Sequence, residues 1–61
     1  MRAWKWYIKY PNDAYALGPF RFQGNREFRK PPNEREVRDY TRKWSGAERL
    51  PAGFQCWPAE N

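Results

Sequence analysis

Along residues Trp4 to Tyr10, large apolar and polar positions alternate. Trp4, Trp6, Ile8 and Tyr10 point one way and Lys5, Tyr7 and Lys9 the other, which is the period of a half-buried β-strand. Pro11, Asn12 and Asp13 end that run with turn chemistry. A second run, Leu17 to Gln23, sets Phe20 and Phe22 on one face against Arg21 and Gln23 on the other, so the two runs read as an antiparallel hairpin. Gly24-Asn25 offers a tight turn into a short third run, Arg26 to Arg29, although a two-residue loop would pair Phe28 with Arg21 on the polar face. Pro31-Pro32 then stops any sheet.

Beyond the prolines the period changes. Asn33 followed by Glu36 forms a capping-box pattern, and a helix is predicted over Glu34 to Ser45 with Gly46 as its C-cap. Glu34 and Glu36 stand in the first turn and Arg42 and Lys43 in the last, as the helix dipole prefers. Arg35 with Asp39, and Asp39 with Lys43, are spaced to pair along the helix. Its apolar stripe, Val37, Tyr40 and Trp44, is expected to pack on the Trp4, Trp6, Ile8, Phe20 and Phe22 face. After Leu50-Pro51, Phe54 to Trp57 reads as a last strand ended by Pro58. The predicted architecture is one α+β domain over residues 1–61: a three-stranded antiparallel sheet in ββαβ order with one helix packed across it.

Composition sharpens this picture. Trp, Tyr and Phe number four each and make up 20% of the chain, whereas the branched aliphatics are only Ile8, Leu17, Val37 and Leu50. The core must therefore be built from rings, each of which removes roughly 150 to 250 Å² from water. Twelve Lys and Arg against seven Asp and Glu give a formal net charge of +5, which favours an anionic partner. One cysteine, Cys56, has no partner for an internal disulfide and reads as a small buried hydrophobe in a reducing, cytoplasmic setting. No apolar run approaches membrane-spanning length, and the first ten residues carry Lys5 and Lys9 in place of a continuous apolar stretch.

Catalytic chemistry is poorly supplied. Histidine is absent, and Ser45, Thr41 and Cys56 are the only hydroxyl or thiol nucleophiles besides the tyrosines. A nucleophile with an adjacent histidine base cannot be assembled, and neither zinc nor calcium ligand spacing occurs. The four glycines lie too far apart for a phosphate-cradling loop. The expectation is a non-enzymatic protein without cofactor or metal. What remains is a surface: Lys5, Tyr7, Lys9 and Arg21 on the sheet face away from the helix, with Arg26, Arg29 and Lys30 nearby on the following segment. Cations with an aromatic among them suit an acidic protein surface or nucleic acid. A monomer is expected, with uncovered sheet edges as the route to any self-association.

Two families resemble parts of this pattern. Trp6-Tyr7, Gly18-Pro19-Phe20, a helix with Gly46, Leu50-Pro51 and Trp57 look like the GYF-type adaptor domains, which bind proline-rich peptides. That resemblance implies a groove lined by Tyr7, Phe20 and Trp44, although Arg21 to Pro32 is extra and Gly46-Ala47-Glu48 stands at the naming tripeptide. Over the whole length, the ββαβ order and the loop Pro51-Ala52-Gly53-Phe54 entering the last strand are similar to the short bacteriophage proteins that inhibit host RNA polymerase. In that family basic residues of the last strand contact the polymerase, whereas here the segment is Gln55, Cys56, Trp57, Pro58. The leading expectation is a phage-type inhibitor of a host complex, the alternative a direct nucleic-acid-binding regulator, and the third a peptide adaptor.

Overall fold

A computed structural model describes residues 2–59. Strands β1 (Lys5–Lys9) and β2 (Leu17–Arg21), helix α1 (Glu34–Ser45) and strand β3 (Gln55–Pro58) follow in that order. The sheet runs β2-β1-β3, with both pairings antiparallel. The α+β architecture read from the sequence is the one observed, and β1 is its centre.

The alternation of β1 decides which face is covered. Trp6 is 1% exposed and Ile8 is buried beside it, and with Phe22, Val37, Phe54 and Cys56 they form the core beneath α1. Ala3, Trp4, Tyr10, Phe28, Tyr40 and Leu50 close its margins. Rings do much of the packing: Phe22, Phe28 and Tyr40 meet edge-to-face with centroids 5.2 to 5.5 Å apart, and Tyr10 meets Phe54 at 5.1 Å. Edge-to-face geometry sets the positive rim of one ring against the negative face of the next. The Trp6 indole, buried with its N–H, donates to the Ala3 carbonyl at 2.9 Å, so the largest core residue leaves no polar atom unpaired.

Helix α1 has the predicted bounds and caps. Asn33 Oδ1 accepts from the Glu36 amide at 2.8 Å, and Glu36 Oε1 accepts from the Asn33 amide at 3.0 Å, completing the capping box. Gly46 ends the helix in the left-handed conformation, its amide donating to the Lys43 carbonyl. Along the helix, Asp39 pairs with Lys43 as expected, yet its other oxygen takes Arg42 and not Arg35. Its inward face also differs from the predicted stripe. Val37 and Thr41 are buried, Tyr40 is half-buried, and Trp44 is 75% exposed. The helix packs closest to β3, so the end carrying Trp44 stands off the sheet on the β2 side.

β2 is an exposed edge strand with an irregular register. Lys5 faces Arg21, Trp6 faces Phe20 and Ile8 faces Leu17, so Gly18 and Pro19 together occupy the interval opposite Tyr7. This bulge puts Leu17 and Phe20, three residues apart, on the same side of the sheet. It requires glycine: Gly18 has φ 115°, and a Cβ there would lie 2.8 Å from the Phe20 nitrogen and 3.0 Å from the Trp6 oxygen. Phe20 is 44% exposed because the helix does not reach over β2. The Phe22 to Phe28 segment is two successive turns, and Arg26 to Arg29 is no strand. Asn25 organises it, accepting from the Glu27 amide through Oδ1 and from the Phe28 amide through its carbonyl.

These placements separate positions that composition alone treats alike. Gly18→Ala is expected to destabilise the fold by more than about 2 kcal/mol through backbone strain and close contact, and Asn33→Ala by about 1 kcal/mol through loss of the cap. Trp44→Ala is expected to stay within about 0.5 kcal/mol, as an exposed surface change does. Thermal unfolding resolves the three, since about 1 kcal/mol moves the midpoint of so small a domain by roughly 4 to 8 °C.

Candidate functional site

The face of the sheet opposite α1 is built of three cross-strand rows. Lys5 of β1 faces Arg21 of β2, Tyr7 faces Trp57 of β3, and Lys9 faces Gln55. Because side chains directly opposite in an antiparallel pair share a face, the alternation that buries Trp6 and Ile8 sends all six outward. Four of the predicted site residues, Lys5, Tyr7, Lys9 and Arg21, are thus brought together. At the centre the Tyr7 and Trp57 rings meet with centroids 5.9 Å apart and planes inclined by 31°. Their cross-strand contact makes one continuous apolar surface framed by cations.

The electrostatics of this face are one-sided. No carboxylate occupies any of the registered outward positions among the described residues. Lys5 and Arg21 stand directly opposite each other, an arrangement that like charges disfavour. On the helix layer several cations are paired: Arg38 with Glu34, Arg42 and Lys43 with Asp39, and Arg2 with Glu36. The Asp39 carboxyl is held below its ordinary range by hydrogen bonds from Lys43 and then Arg42. Those helix cations have carboxylate partners, whereas Lys5, Lys9 and Arg21 face none across the strands.

Arg26, Arg29 and Lys30 stand outside the registered rows of this face. Phe28 anchors their segment against Phe22 and Tyr40, and the Asn25 side-chain amide donates to the Tyr40 hydroxyl at 3.1 Å. These contacts fold the segment onto the helix layer, where the three cations are exposed. Trp57 is the member that the sequence reading missed. The signal was present in the alternation of Phe54 and Cys56 with Gln55 and Trp57, but it becomes readable only once β3 is known to lie beside β1.

A second concavity, of about 210 Å³, lies on the helix side between α1 and β2. Ile8, Phe20, Phe22, Tyr40 and Trp44 line it. Phe20 and Trp44 thus meet at one groove, while Tyr7 is on the opposite face of the sheet, so the three residues that the adaptor resemblance groups do not converge.

Among the described residues no three His, Cys, Asp or Glu side chains cluster to hold a metal ion, and no helix is long and apolar enough to cross a membrane. Cys56 is buried, its Sγ 3.9 Å from the Glu34 carbonyl. Burial pushes its thiol up, with Arg38 opposing and Glu34 adding to the shift. Its protonated form is the one the fold favours, so this contribution to stability is fully present below about pH 8.5, the ordinary thiol value, and is lost as the pH rises. A thiol reagent is expected to leave Cys56 unmodified in the native protein at neutral pH and to label it rapidly in denaturant; fast native labelling would refute its burial.

Comparison with known protein families, curated proteins and solved structures finds no match to this chain.

Proposed function

We propose that this chain is a non-enzymatic binding protein of the phage type, which inhibits a host macromolecular complex by seating the open face of its sheet on an acidic surface of that complex. Host RNA polymerase is the leading target. The observation that carries the reading is the Tyr7–Trp57 ring pair framed by Lys5, Lys9 and Arg21 with no opposing carboxylate. Tyrosine, tryptophan and arginine are the residues on which protein interfaces concentrate their binding energy. The resemblance to polymerase inhibitors suggests this kind of host machine without fixing the target, since there the contacting cations lie on the last strand, and here strands β1 and β2 supply them. Such a protein acts by occupancy, for which the absence of histidine and of any assembled nucleophile is no handicap.

Direct nucleic-acid binding is the second reading, favoured by the same ring pair, since bases stack on exposed aromatics beside cations. It carries a steep salt dependence, about −0.7 in log-log slope for each phosphate neutralised on a single strand.

The test is transcription by purified bacterial RNA polymerase holoenzyme, together with capture of the complex from lysate before and after nuclease treatment. Wild-type protein is expected to suppress transcription and to retain the polymerase in both samples. The triple replacement Lys5→Glu, Lys9→Glu, Arg21→Glu is expected to weaken both effects by at least about tenfold, with an unchanged thermal midpoint. Undiminished inhibition by that variant would remove the open face from the mechanism, and loss of everything after nuclease would hand the function to nucleic acid.

A further inference from the structure

We infer that the element of the partner that sits on this face is an acidic amphipathic helix, laid along the strands as a second helical layer. This rests on the reading of the open face as the binding surface and goes on to name what occupies it.

Three dimensions of the face carry the inference. Three strands spaced about 4.8 Å apart present a strip roughly 10 Å wide, which is the diameter of one α-helix. The opposite side of the same sheet already carries a single helix, α1, so one helix is enough to cover a sheet of this width. Along the strands, the Lys5–Arg21 row and the Lys9–Gln55 row are four residues apart on β1, or about 13 Å. On a helix the positions that share a face near that distance are about seven to eight residues apart, roughly 10.5 to 12 Å, and flexible lysine and glutamate side chains make up the remainder. Carboxylates at that separation would meet the two cationic ends, and the apolar side chains between them would land on Tyr7 and Trp57.

Charge distribution decides against a nucleic-acid strand as the occupant. A strand needs a continuous basic track, but only Lys5, Lys9 and Arg21 lie on this face. Arg2, Arg38, Arg42 and Lys43 are engaged by Glu34, Glu36 and Asp39. Arg26, Arg29 and Lys30 belong to the segment that Phe28 fastens to the helix layer. The face is a compact patch with an apolar centre and charged ends, which matches an amphipathic protein helix better than a polyanion of uniform charge.

The experiment is an NMR titration of the isotope-labelled protein with three probes. The first is a synthetic amphipathic helix of about 20 residues carrying glutamates about seven to eight residues apart beside a leucine stripe on the same face. The second is the same peptide with lysine for glutamate, and the third an oligothymidylate of about 15 nucleotides. The glutamate peptide is expected to shift the Trp57 indole and the Tyr7, Lys5 and Lys9 amides saturably. Trp57→Ala, and separately Lys5→Glu with Lys9→Glu, are expected to weaken it at least about tenfold, while Trp44→Ala leaves it unchanged. Equal binding of the two peptides, tighter binding of the oligothymidylate, or shifts confined to the Phe20–Trp44 groove would overturn the inference. If polymerase capture depends on Lys5, Lys9 and Arg21 but the glutamate peptide does not bind, the helix assignment falls and the open-face reading stands. If charge reversal leaves capture intact, the open-face reading itself falls.

Discussion

Burial of Trp6 and Ile8 beneath α1 is the constraint on which the remainder of this structure depends. With four branched aliphatics in the whole chain, a large ring on the central strand has to supply apolar area that a larger domain would draw from leucines and valines. Once those two side chains point inward, the two-residue period of β1 leaves Lys5, Tyr7 and Lys9 no choice of side. Core and open face are therefore one decision. A one-residue slip of β1 would bury three polar groups and expose the tryptophan, so the register that stabilises the fold also guards the open face.

The same constraint explains why the helix side is unevenly covered. α1 lies nearest β3, where Cys56 Sγ is 3.9 Å from the Glu34 carbonyl and Val37 joins Cys56 in the core. β2, bulged at Gly18, keeps Leu17 and Phe20 partly in solvent. The turns around Asn25 compensate in part, since they bring Phe28 in as a third ring beside Phe22 and Tyr40. What a longer helix or another strand would cover is left as the groove beneath Trp44.

Much of this was legible in the sequence because the signals were local. The capping box at Asn33, the glycine at position 46 and the alternation from Trp4 to Tyr10 each rest on the chemistry of a few adjacent residues, and all three elements stand where they were expected. The misjudged positions turn on tertiary placement. Trp44 lies on the apolar stripe by helical angle, but exposure depends on how far the sheet extends beneath it. Phe28 was read within a candidate third strand, whereas its ring packs with Phe22 and Tyr40 out of a turn. Trp57 was missed because strand order, which sets it beside Tyr7, is not a local property.

The open face also has an energetic asymmetry that bears on its role. A domain of this size has a thin margin of stability, and the sheet spends part of it on two cations directly opposed at Lys5 and Arg21. On the helix, by contrast, Asp39 answers two cations at once and Glu34 and Glu36 each answer one. Repulsion between neighbouring cations is relieved when carboxylates are set between them, and the exposed part of the Tyr7–Trp57 surface loses water at the same step. The free protein is thus least favourable in the region where an acidic, partly apolar partner gains most. That difference between the free and covered face is a physical ground in favour of the proposed binding role.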